Sequence, residues 1–410
     1  MTYYELKKIV VRRSTKFALL ILAGMLAVIF YFMLADTSWV NEEGETETGF
    51  AAVSNIREAK NEWSGPLTEE KIRQIIEENN RINQTPEATS EETQKQEIAY
   101  GWKQGYGDIR LLLSYSFGTF QETDYYTMDS LPPDTAADFY TNRLRNLQEW
   151  LAGEGADAFS DKEKQFLTDR YSEISTPFLY EYQDGWKNLF QWSPAVLMIT
   201  TMVLGFLCAG IFSDEFRLKA SAVFYSAYYG RSKAIRAKLK AGFLFVTIVY
   251  WSVMLIYTGV TFLIFGADGM LCPIQCFASG WKSFYNINNG QEFALIVTGG
   301  YIGCMFMAAL VMLVSAAVKS SLLAVTVPFI LIFLPSFLSG ISSPLLNKIL
   351  GLLPDQLLQM SMAVKYFNLY ELFGKVVGAV PVLLGGYLVL TAVMFPVIYV
   401  SYRKHQVAGY

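Results

Sequence analysis

The pattern of apolar and polar positions divides the 410-residue chain into six long runs without charge and a few stretches of very different character. The runs cover roughly 17–35, 192–212, 241–266, 293–318, 322–338 and 380–402. Each has or approaches the ~20 residues that a helix needs to cross a bilayer. Between the first two lies 36–191, a polar stretch far longer than any turn. Between the last two lies 342–378, strongly apolar but interrupted by Pro344, Lys348, Pro354 and Asp355, so that neither half is long enough to cross. Such half-length helices dip into a bilayer from one face, with their open backbone groups covered by protein. An ordinary amphipathic surface helix is the competing reading. The fold class predicted is an all-α integral membrane protein: six transmembrane helices, with a mainly helical extracytoplasmic domain inserted between helices 1 and 2.

Within 36–191 the helical period recurs. The stretch 68–83 alternates Ile72, Ile75, Ile76 and Ile82 with charges. A helix over 134–151 would begin at an Asp cap and place Phe139, Leu144, Leu147 and Trp150 on one stripe. Ser160 and Glu163 have the spacing of a capping box that opens a helix through Tyr171. The aromatic stretch 111–120 is expected at the centre of this domain or against the membrane mouth, and 85–96 reads as a mobile polar loop. Residues 1–16 form a basic amphipathic helix for the membrane surface, with Tyr3, Tyr4, Leu6, Ile9, Val10 and Phe17 toward lipid and Lys7, Lys8, Arg12, Arg13 and Lys16 toward water. The run that follows is too long for a signal-peptide core and ends Met33-Leu34-Ala35, without a small-residue cleavage site, so it reads as an uncleaved span.

Charge sharpens this picture. With 52% hydrophobic and 15% aromatic residues the chain is too apolar for a simple soluble domain, and its formal net charge of −4 hides two opposed parts. Residues 36–191 hold 30 Asp and Glu against 14 Lys and Arg, a net of −16; the rest holds 7 acids and 19 bases, a net of +12. The bases gather at Lys319, at Arg403-Lys404 and above all between the second and third runs, which places those turns and both termini in the cytoplasm of a multi-pass plasma-membrane protein.

The segment between the second and third runs is the most informative. It carries Arg217, Lys219, Arg231, Lys233, Arg236, Lys238 and Lys240 beside Phe216, Phe224, Tyr225, Tyr228 and Tyr229. The last four stand at i, i+1, i+4 and i+5, so one helix would present a single aromatic face. The span ending at Phe212, with Glu215 following and then Arg231, Lys238 and Leu239 at set distances, resembles the first cytoplasmic loop of the ABC-2 family of ABC transporter permeases. That family often has Gly-Thr where this chain has Lys219-Ala220, and Pro where it has Tyr228. The resemblance implies that a separate ATPase subunit docks on an elbow over 213–240, through Glu215, Phe216, Phe224, Tyr225, Tyr228, Tyr229, Arg231 and Lys238, and that ATP and magnesium belong to that subunit. It also implies short external helices between spans five and six. An interfacial helix with its tyrosines at headgroup level is the plainer alternative.

The chemistry that is missing points the same way. Ionisable side chains inside spans are the usual mark of ion-coupled transport, and the six runs are essentially free of them; the single histidine is His405. No phosphate-binding loop is present, because Gly374-Lys375 is preceded by Leu369 where the first Gly belongs and followed by Val376. Glu42-Glu43 is a paired-acid run, read as a solvated face, and no enzyme, metal site or cofactor is expected in this chain. The expected function is the permease of an ATP-driven exporter of an amphipathic substrate, a peptide or a lipid, working with a second permease copy or a related one. The acidic domain favours cationic peptides, as in antimicrobial-peptide resistance, and no nucleic acid is expected as a partner. A membrane sensor whose outer domain binds a ligand is the alternative. Tyr250, Trp251, Tyr257 and Phe262 are candidates to line a substrate path, or simply to pack. Cys272 and Cys276 form a disulfide or remain free thiols. Gly299, Gly300 and Gly303 offer a small-residue face for a dimer seam.

Overall fold

The computed structural model describes residues 1–318, 320–338 and 343–404; Lys319, Ser342 and His405 lie outside the described residues. Helices α1 (Thr2–Val11) and α2 (Arg13–Ala35) open the chain. Helices α3 (Phe50–Glu62), α4 (Glu69–Asn83), α5 (Thr93–Gly101), α6 (Gly107–Phe117), α7 (Phe139–Ala152) and α8 (Asp161–Ser172) build the inserted domain. Then come α9 (Asp184–Arg217), α10 (Ser221–Ser226), α11 (Ile235–Phe265), α12 (Asn289–Val318) and α13 (Ser321–Leu338). The short helices α14 (Pro344–Leu350), α15 (Asp355–Leu358) and α16 (Met360–Ala363), and a hairpin of β-strands Leu369–Leu372 and Lys375–Gly378, lead to α17 (Ala379–Arg403). Six of these helices are long and apolar enough to cross a membrane: α2, α9, α11 with the turn before it, α12, α13 and α17. The chain is an all-α membrane protein.

Local signals behave as the sequence leads one to expect where a side chain does the work. Thr68 caps α4, and Ser160 with Glu163 closes both bonds of a capping box on α8. Three expectations need correcting. The helix over 134–151 does not start at an Asp134 cap: Pro133, which holds Pro132 extended before it, opens a tight turn over Pro133–Asp138, and α7 begins only at Phe139. The loop expected over 85–96 already contains the start of α5 at Thr93. The small-residue face of α12 is used within the chain: Gly299 and Gly303 let Met360 and Leu358 approach, and Gly300 sits under Leu197 and the Tyr250 hydroxyl, so none of the three is open to a second copy.

The inserted domain does not pack alone. Its core of Ile72, Ile75, Tyr106, Leu112 and Phe139 takes in Trp281 and Cys276 from the connection before α12, and a second cluster joins Leu147, Leu167 and Tyr171 to Phe284 and Leu369. Arg143 ties these parts together, donating to the carbonyls of Trp281 (3.0 Å) and Ser283 (2.8 Å). A buried ion cluster makes a further tie. Lys60 on α3 lies 2.6 Å from Asp108 on α6 and 2.7 Å from Asp184 at the start of α9. Burial works against the Lys60 ammonium, yet the two carboxylates outweigh it and hold the group protonated well above its ordinary range. Burial is likewise overcome at Asp108, whose carboxyl is lowered to about 2 by Lys60 and Lys187.

Cys272 and Cys276 are both free, the second of the two states that the sequence leaves open. Pro273 is extended and starts a tight turn over Ile274–Cys276, so the two cysteines do not share one helical turn; the Cys276 thiol donates instead to the Leu179 carbonyl at 3.4 Å. Burial pushes the Cys272 thiol up to about 12. Gly374 sits in the hairpin turn at φ 79°, and Lys375 opens a strand where a phosphate-binding loop would have a helix.

Candidate functional site

Helix α9 carries the chain beyond its apolar stretch as far as Arg217. Lys219 then adopts φ 55°, the left-handed region where a side chain costs about 1 kcal/mol and glycine costs nothing. This is the position where the resembled loops often carry glycine. Helix α10 runs only to Ser226, because Ala227 is extended (ψ 141°). The chain turns back at Gly230, where any Cβ would collide with the Phe224 carbonyl, and a π-turn over Gly230–Ala234 feeds α11. The single aromatic-faced helix expected over 224–229 is therefore not formed, and its aromatics divide between two environments.

Phe216, Phe224 and Tyr225 turn inward with Phe212 around a residue the sequence did not single out, Tyr402 at the end of α17. Ring centroids lie 4.7 Å (Phe212), 5.5 Å (Tyr225), 5.8 Å (Phe224) and 6.1 Å (Phe216) from that of Tyr402. The edge-on pairs among them add about 0.5–1.5 kcal/mol each beyond burial. The Tyr225 hydroxyl donates to the Tyr402 carbonyl (3.1 Å), and the Tyr402 hydroxyl donates to that of Phe212 (3.2 Å). Burial pushes the Tyr225 hydroxyl up to about 12. Tyr228 is 90% exposed, and Leu218 and Val223 are likewise exposed, so the elbow leaves three apolar side chains outward; Tyr229 is less exposed and packs on Tyr228.

Ions lock the elbow to its flanking helices. Lys238 on α11, 3% exposed, donates to Glu215 (2.6 Å) and to the Ile211 carbonyl (2.8 Å), with Glu5 of α1 at 3.5 Å. Despite burial, Lys238 and Lys8 hold the Glu5 carboxyl below its ordinary value. Arg12 pairs with Asp214 at 2.7 Å. Arg231 donates to the Arg403 carbonyl (3.2 Å) and lies over the Tyr225 ring. The first helix is thus a brace on the elbow, with Ile9 buried against the membrane helices and both of its aromatics, Tyr3 and Tyr4, left outward. The elbow is bonded to α9 through Glu215, to α11 through Lys238 and to α17 through Tyr402.

The other sequence candidates are dispersed. Tyr250 and Tyr257 are fully buried, their hydroxyls donating to the carbonyls of Val297 (2.6 Å) and Leu189 (2.8 Å). Trp251 faces outward and Phe262 packs on Trp186. Glu292 was missed because the apolar run begins at Phe293; it is fully buried in the first turn of α12, 3.7 Å from Lys365. The signal for it was present in Lys365, an isolated cation beside the broken helices. No group of His, Cys, Asp and Glu able to hold a metal occurs among the described residues.

The model of one protein family, described as ABC-2 family transporter protein, matches residues 15–401. No curated protein and no solved structure matches the chain.

Proposed function

This chain belongs to the ABC-2 family of transporter proteins, and from that premise we propose that it is the permease of an ATP-driven exporter in the plasma membrane, powered by a separate ATPase that docks on the elbow. As a family member it is a membrane transport component and not itself an ATPase. The observation that carries the docking proposal is the division of the elbow: Leu218, Val223 and Tyr228 are left outward on a base held rigid by Tyr402 and Lys238. Apolar anchors on a fixed base suit a cleft on a partner, where a buried aromatic typically carries a few kcal/mol. In this reading ATP and magnesium bind the partner, both termini are cytoplasmic, the inserted domain is outside, and a second permease completes the assembly.

The cargo we propose is amphipathic and cationic. Support comes from a groove of about 850 Å³ in the inserted domain, walled by Trp39, Trp63 and Trp102 and rimmed by Glu42, Glu58 and Glu62. None of these carboxylates takes part in an ion pair among the described residues. Aromatic faces with uncompensated acids attract ammonium and guanidinium groups. The docking test is the double variant Val223→Asp/Tyr228→Asp, expected to lose the co-purifying ATPase while the permease keeps its thermal stability. Undiminished co-purification would remove the docking assignment. Reconstitution with the ATPase separates an exporter from a ligand sensor, since only the exporter moves a cationic amphipathic peptide across the vesicle wall.

A further inference from the structure

The inserted domain is acidic overall, yet the place where it meets the broken helices is basic and aromatic. A cavity of about 570 Å³ opens there, with Phe120, Trp150, Tyr366 and Phe367 among its walls and Lys282 and Lys365 as its only charged lining. Phe120 and Trp150 are stacked at 4.7 Å, and Phe367 lies 5.8 Å from Phe120, so the rings form one continuous wall. Lys282 stands over Phe120 at 5.2 Å and has no carboxylate partner among the described residues. Directly beneath, lining a small void shared with Phe120 and Lys282, is Arg143, 5% exposed. Its guanidinium is satisfied by two carbonyls and no carboxylate, so its charge is not cancelled. Burial lowers both Lys282 and Arg143 from their ordinary values, and no carboxylate offsets it.

The cavity also lies at a telling depth. Lys365 reaches Glu292 in the first turn of α12, one residue before that helix becomes continuously apolar, while Tyr366 and Met362 remain outward. The opening is thus level with the start of the apolar run by which α12 is long enough to cross a membrane.

We propose that this cavity binds an acidic lipid of the adjoining leaflet, its apolar chain laid on Phe120, Trp150 and Phe367 and its phosphate on Lys282, within the positive field of Arg143. A cation without a partner, half-withdrawn from water, gains from an anion that brings its own apolar surface. The chain completes the aromatic wall and the phosphate completes the ion pair. The proposal is independent of the direction of transport and of the cationic cargo, since its ligand has the opposite charge and a different place on the domain.

The test uses the full chain in detergent, titrated with phosphatidylglycerol whose acyl chains carry bromine, with tryptophan quenching as the readout. Phosphatidylcholine of the same chains and inorganic phosphate are the comparison probes. Phosphatidylglycerol is expected to quench with at least about tenfold higher affinity than phosphatidylcholine, the value of one charge-assisted bond. Lys282→Gln should bring the two lipids level while the melting temperature stays put, and Trp150→Phe should remove most of the saturable quenching. Equal affinity for both lipids, an unchanged preference in Lys282→Gln, or quenching that survives Trp150→Phe would each overturn the site. Inorganic phosphate competing as well as the lipid would overturn the role of the aromatic wall.

Discussion

The two ends of α9 are both held by a buried lysine, and they are held for different purposes. At its start Asp184 is fixed by Lys60, which also grips Asp108, and the three together line a cavity of about 420 Å³ between the inserted domain and the start of the helix. At its far end, about 51 Å away for 34 residues at ~1.5 Å each, Glu215 is fixed by Lys238, and an apolar surface is left outward beside the lock. One end is an anchor and the other is a lever. The difference lies in what surrounds the ion pair. Lys60 joins three elements of one compact body, whereas Lys238 joins helices whose connecting loop has its own exposed face. In the proposed reading, a helix with one end anchored to a large domain and the other offered to the ATPase would transmit displacement along its length.

The sharpest way to break this comparison is to ask whether the two ends lie on opposite sides of the membrane. With all four native cysteines buried, Glu91→Cys in the inserted domain should react completely with an impermeant thiol reagent on intact cells, and Lys233→Cys in the elbow only after the membrane is opened. Equal labelling would end the lever reading. A smaller but still large effect is expected at the anchor. Lys60→Met leaves two buried carboxylates facing each other and should cost about 3–5 kcal/mol, read as a fall in melting temperature, whereas Lys60→Met/Asp108→Asn should recover part of it. The pH profile has a defined sign. The Asp108 carboxyl is depressed to about 2 from an ordinary 3.8, so its contribution, on the order of 2 kcal/mol, is complete above about pH 4 and lost as pH falls toward 2. The Lys60 contribution is complete below its ordinary 10.5 and fades only as pH rises past that value. A melting temperature that drops between pH 7 and 5 in wild type but not in Asp108→Asn would contradict this. The smallest effect belongs to the lever. Tyr225→Phe removes one hydrogen bond to the Tyr402 carbonyl and should cost about 1 kcal/mol, with a larger proportional loss of ATPase stimulation than of stability. Equal loss of both would make the aromatic cluster merely structural.

The membrane helices were legible because an uncharged run of bilayer length has few other readings, and α4 and α8 because Thr68, Ser160 and Glu163 act within one turn of the chain. What the sequence hid depends on contacts between distant positions. Trp281 and Leu369 enter cores of the inserted domain from segments outside it, and nothing local marks them for that task. Tyr402 looks like any aromatic at the end of a span until the elbow is folded around it. The elbow itself misled through a correct period: Phe224 to Tyr229 does have helical spacing, but extended Ala227 and the close approach at Gly230 bend the chain before the face can form. Glu292 was lost to a boundary error of one residue.

The bond between Tyr225 and Tyr402 also sets an order of events in time. It joins positions 177 residues apart, and the ribosome makes the earlier one first. At ~5–20 residues per second, the elbow leaves the ribosome on the order of ten to thirty-five seconds before its last partner is synthesised. During that interval Phe216, Phe224 and Tyr225 have no keystone to close on. A subunit that recognises the finished shape of the elbow would therefore be recruited only after the sixth membrane helix has been inserted, and for such a subunit the closing of this small aromatic cluster would double as a signal that the permease is complete.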